Sequence, residues 1–94
     1  MKKDLISILK TVKSSKPKWI RVGEVKAIYT MLNPITQLII YKNMHLPTPS
    51  YFIRIKNEQD DKKSLNVVVI NSSQSYSEVD SIFESNFPNA ESLD

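Results

Sequence analysis

The run LNVVVI at 65–70 constrains this chain more than any other stretch. Its β-branched, uncharged residues favour a strand, and a nearly continuous apolar run is the pattern of a central strand covered on both faces. Upstream, YFIRIK at 51–56 alternates Tyr51, Ile53 and Ile55 with Phe52, Arg54 and Lys56. One face of that strand is therefore apolar and the other aromatic and basic. Between the two lies NEQDDKKS, polar, highly charged and without glycine. Such a linker predicts a long hairpin rather than a tight two-residue turn.

Helices are expected at both ends. Leu5, Ile8, Leu9 and Val12 fall at i, i+3, i+4 and i+7, one apolar stripe at helical period, with Lys3, Lys10 and Lys13 away from it. Pro17 stops this helix, because the residue before a proline is pushed out of the helical region. Near the other end, Tyr76, Val79, Ile82, Phe83 and Phe87 form a second helical stripe, which Pro88 ends. Ser75 and Glu78 have the spacing of a capping box. Residues 1–88 read as a single compact domain, and 89–94 as a frayed acidic tail.

The middle of the chain supports two readings. Val25, Ile28, Tyr29 and Leu32 match a helix, whereas Val25, Ala27, Tyr29 and Met31 match a strand by alternation. Gly23, the only glycine, suits a bulge in one long strand or a helix start. Asn33-Pro34 is a turn signal that also resembles a helix cap followed by proline at the first helical position. ITQLIIY at 35–41 leans to strand by its β-branched and aromatic content. The preferred fold is α+β: N-terminal helix, four-stranded antiparallel meander, C-terminal helix. The alternative makes 23–32 and 34–43 helical, in a winged-helix order.

Ninety-four residues suffice for one core and leave little room for a deep substrate cavity as well. No cysteine is present, so neither disulfides nor thiolate metal sites contribute. The start, MKKDLISILKTVK, imitates a signal peptide, but Asp4 and Lys10 bracket an apolar segment shorter than the roughly 7–15 residues such a signal needs. No run approaches the ~18 apolar residues of a membrane span. A cytoplasmic protein without membrane attachment is expected. Catalytic signatures are lacking: His45 is the single histidine, the Asp60-Asp61 pair sits in a lysine-flanked loop, and one glycine cannot make a phosphate-binding loop. The chain is expected to be no enzyme and to hold no cofactor or metal.

Charge is distributed unevenly. Residues 1–30 hold eight Lys/Arg and two Asp/Glu, and 57–94 hold two and eight, within a net charge of +3. The stretch KSSKPKWIRV at 13–22 concentrates basic residues around the only tryptophan. Lys10, Lys13, Lys16, Lys18 and Arg21 are candidates for phosphate contacts, with Trp19 as a stacking face. Phe52, Arg54 and Lys56 form a second aromatic–basic group on one strand face. A nucleic-acid-binding or transcription/replication regulatory protein acting through a basic face follows as the first expectation, provided the two groups share a surface.

The alternative is a protein-interaction module: a small inhibitor, adaptor or regulatory subunit. It would use acidic Glu78, Asp80 and Glu84 on the last helix, together with Met44 and Tyr51 of the MHLPTPSYF segment. A homodimer paired through the strand edges of a small open sheet is also compatible with the sequence.

Overall fold

A computed structural model describes residues 5–23, 25–43 and 50–92. The elements run α1 (Leu5–Ser15), β1 (Ile20–Arg21), β2 (Ala27–Asn33), β3 (Thr36–Asn43), β4 (Ser50–Asn57), a short 3-10 helix (Asp61–Lys63), β5 (Leu65–Val69), α2 (Tyr76–Asn86) and β6 (Glu91–Ser92). The sheet has strand order β5-β4-β3-β2-β1-β6. Strands β1 to β5 form an antiparallel meander, and β6 joins β1 in parallel. The helix–sheet–helix architecture expected from the sequence is the one observed, with five strands in the meander instead of four.

The extra strand comes from Gly23. It takes φ +58, the left-handed region that glycine enters without steric cost, and the chain turns back on itself there. Val22 N–H donates to the Ala27 carbonyl at 3.1 Å across this turn. A single long strand with a bulge is thereby split into β1 and β2.

The winged-helix alternative fails over 23–43, where the described residues form β2 and β3 and no helix. Asn33-Pro34 makes a hairpin turn: Asn33 Oδ1 accepts from the Ile35 amide at 3.0 Å, and Asn33 pairs with Thr36. An Asn side chain that mimics a backbone turn competes directly with its use as a helix cap. The alternation of Ala27–Met31 and the β-branched content of β3 then favour pairing.

Both helices lie on one face of the sheet. From α1, Leu9 and Val12 join Val79, Ile82 and Phe83 of α2 over Ile28, Leu38, Ile40, Tyr51 and Ile53. The cross-strand row Ile28–Ile40–Ile53–Val67 runs beneath them. Helix α1 ends as Lys16 enters the left-handed region at φ 49, immediately before Pro17. At the other end, Ser75 has φ −86 and ψ −3 and makes no side-chain cap bond, so the expected capping box is absent. An N-cap side chain reaches the helix amides from an extended backbone, and Ser75 is already helical.

Two further expectations are revised. LNVVVI is an edge strand, not a central one, because the chain after Val69 enters α2 without adding a neighbour to β5. Glu91–Ser92, inside the stretch expected to fray, pairs with β1, and the Glu91 amide donates to the Trp19 carbonyl at 3.1 Å.

Candidate interaction surface

Register decides which side chains share the uncovered face of the sheet. Ile20, Tyr29, Ile39, Arg54 and Asn66 lie in one cross-strand row, and Ala27, Tyr41, Phe52 and Val68 in the next. Met31, Gln37 and Lys56 form a third. Tyr41 and Phe52 stack with ring centroids 5.8 Å apart and planes 15° from parallel. No described helix covers this surface: Phe52 stays 41% exposed, Met31 43% and Val68 60%. These rows include two cations, Arg54 and Lys56, while Glu91, the partner of Ile20 at the far edge of the sheet, is held in an ion pair by Lys18 at 3.1 Å. The result is an apolar–aromatic patch carrying positive charge.

Both groups of sequence-derived basic candidates do not meet. Phe52, Arg54 and Lys56 are on the open face together. Lys10 and Lys13 are exposed on α1, on the other side of the sheet. Lys13 and Lys16 border a groove between the helices with Ser81, Ser85 and Asn86. Lys18 is exposed and pairs with Glu91 at 3.1 Å.

Trp19 is only 5% exposed and belongs to the core, which removes it as a stacking face. An aromatic ring of that size is worth more to a small core than it would be in water. Arg21 turns inward to the end of α2. Its Nε donates to the Phe87 carbonyl at 2.9 Å and one terminal nitrogen to the Pro88 carbonyl at 3.1 Å, while the guanidinium sits 4.6 Å from the Phe87 ring centroid. A cation satisfying carbonyls at a helix C-terminus is a structural clamp.

The residues of the alternative surface are also largely engaged within the fold. Tyr51 is fully buried, so it is no contact residue for a partner. Its hydroxyl donates to Asp80 Oδ1 at 2.6 Å. Burial, reinforced by the Asp80 carboxylate, pushes the Tyr51 phenol well above its ordinary value. Glu84 pairs with Lys42, whose ammonium also lies 5.8 and 5.9 Å from the Tyr51 and Phe83 ring centroids. Glu78 is half-buried, and its Oε2 has no hydrogen-bond partner among the described residues. Met44 and His45 lie outside the described residues. The ion pairs Lys18–Glu91 and Lys42–Glu84 join the basic and acidic parts of the sequence and reduce its apparent polarity.

Among the described residues, no group of three or more His, Cys, Asp or Glu side chains is placed to hold a metal. Asp60 has a local task instead: its Oδ1 accepts from the Lys62 amide at 3.0 Å in the β4–β5 loop. A concavity of about 440 Å³ between α1 and the sheet is lined by residues such as Ile8, Thr11, Val12, Leu32, Thr36 and Ile55, and none of its lining residues ionises. No described helix is long and apolar enough to cross a membrane.

Tyr29, Ile39, Tyr41 and Val68 were missing from the sequence-derived surface. The available signal was the period-2 reading of 25–31. Once 27–43 is a hairpin, Tyr29 and Tyr41 must face the same side as Phe52 and Arg54. Comparison with protein-family models, with curated proteins and with solved structures finds no match to this chain.

Proposed function

We propose that this chain is a non-enzymatic protein-interaction module that presents the open face of its sheet to another protein. The carrying observation is the uncovered patch around Tyr41, Phe52 and Val68, flanked by Arg54 and Lys56. Side chains this apolar are costly to leave in water, and aromatic residues with arginine are the residue types enriched in protein contacts. The fitting partner offers an apolar patch bordered by carboxylates, since Arg54 and Lys56 flank the patch, whereas Glu91 lies at the far edge of the sheet paired with Lys18. This reading centres the contact on the sheet face, which shares Phe52 with the MHLPTPSYF segment at 44–52, and not on the acidic helix.

Affinity capture with the wild-type chain, Phe52→Ala and Lys10→Ala tests the reading. A protein retained by wild type and Lys10→Ala after nuclease treatment, but lost with Phe52→Ala, is expected. Retention indifferent to Phe52 would overturn it.

A second reading, single-stranded nucleic acid on the same face, draws on the Tyr41–Phe52 stack beside Arg54 and Lys56. With two cations on that face, binding to a short oligonucleotide would weaken with salt at a log–log slope of roughly −1.4. A much steeper slope would place the contacts elsewhere, on the helical lysines.

A further inference from the structure

Strand β5 has the sequence of an interior strand and the position of an edge strand. We propose that it pairs antiparallel with the β5 of a second copy, across a two-fold axis normal to the sheet, and so joins two sheets into one. This inference concerns the backbone edge of the sheet and goes beyond the reading of its open face.

Natural edge strands are protected by brevity, charge, proline or a bulge. β5 has none of these devices: its five residues are Leu65, Asn66, Val67, Val68 and Val69, in unbroken register with β4. Leu65 is 41% exposed on the helical face, while Val68 and the following Ile70 are 60% and 47% exposed. The opposite edge is blunted, with β6 only two residues long and Glu91 held to Lys18. Protection at one edge and its absence at the other confine growth to a closed pair, since no second edge is available to extend a filament.

Composition and charge identify the second strand. The edge itself is uncharged, so two copies meet without like-charge repulsion. An axis through Val67 sets Val67 opposite its counterpart, Leu65 opposite the copy's Val69 and Asn66 opposite the copy's Val68. Each residue then meets one from the same sheet face, and the row of Phe52 and Val68 meets the copy's row of Asn66 and Arg54 across the axis. Orientation follows from Lys62 and Lys63, both exposed just before β5. A parallel pair would set these lysines side by side. The antiparallel pair separates them by about two strand lengths around the axis, beyond the ~10 Å over which salt leaves surface charges coupled.

An edge of five residues spans roughly 17 Å. On its own it falls below the ~1,200 Å² of a standard interface, so the dimer is expected to dissociate in the range of about 10–100 µM.

Sedimentation equilibrium on the full chain between about 5 and 500 µM covers that range. The expected result is a rise from monomer to dimer mass, shifted at least about tenfold to higher concentration in Val68→Lys, where two cations would lie diagonally across the axis, each opposite the copy's Asn66. Because Val68 is mostly exposed, this change leaves the core untouched. The cysteine-free chain also accepts a single spin label. A label at Asn66→Cys should report a shorter intermolecular distance than one at Lys62→Cys. Monomer mass throughout, a dimer indifferent to Val68→Lys, or a shorter distance from position 62 would each overturn the proposal. Phe52→Ala separates the two readings: it should keep the dimer while losing the partner of the open face.

Discussion

Strand β4 carries two surfaces that differ by a one-residue offset. Tyr51 and Ile53 are buried under the helices, with Tyr51 tied to Asp80 and packed 5.5 Å from Phe83 between ring centroids. Phe52 and Arg54, their neighbours in the chain, are exposed on the opposite side. Phe52 is as large an aromatic as Phe83, yet it retains 41% of its surface while Phe83 retains 1%. The difference lies in the cover, not in the amino acid. One face has two helices closing over it, and no described helix covers the Tyr41–Phe52 stack on the other. Stability should therefore reside on one face and recognition on the other.

Substitutions along β4 can break that division. Ile53→Ala should cost about 2–5 kcal/mol, because it removes methyl groups from the centre of a closed core and leaves a cavity. Urea denaturation is the check, and a loss below about 1 kcal/mol would mean that the helices do not seal this face.

Arg21→Ala should cost about 1–3 kcal/mol by releasing the end of α2, where it serves two carbonyls and the Phe87 ring. Arg21→Lys should recover only part of this, since one ammonium cannot reproduce the planar fork.

Tyr51→Phe should cost about 1–2 kcal/mol for the lost bond to a carboxylate, with a pH signature. The folded-state phenol titrates above its unfolded value near 10, so its contribution is complete below that pH and declines as pH rises beyond it. Thermal unfolding between pH 8 and 11 should show a steeper alkaline decline in wild type than in Tyr51→Phe. Equal declines would mean that the phenol is not protected by burial.

The smallest stability effect belongs to the open face. Phe52→Ala and Arg54→Ala should each change stability by less than about 1 kcal/mol, while weakening capture of a protein partner. Large destabilisation by either would erase the contrast between the two faces of β4.

The helical stripes were legible because periodicity records one-sided burial directly. Leu9 and Val12 at one end, and Val79, Ile82 and Phe83 at the other, are buried as spaced. The hairpin of 51–70 was legible for the same reason. The middle was not, since 25–32 satisfies both periods and only the Asn33 side-chain bond to the Ile35 amide commits the chain to a turn. Trp19 and Arg21 looked like a surface group because they share a basic stretch. Their alternation toward the helices became visible only through the pairing of Ile20 with Tyr29 and Arg21 with Ile28.

Sequence by itself determined the local elements: two amphipathic helices, a charged long hairpin, and strands rich in β-branched residues. These follow from interactions a few residues apart, which periodicity encodes. Tertiary structure decided which face of the sheet the helices cover, which of two similar aromatics is sealed, and which basic residues are spent on internal contacts. It also placed LNVVVI at an edge. Such choices depend on contacts between residues distant in sequence, and a strand that needs neighbours on both sides carries no local mark of whether its own chain provides them.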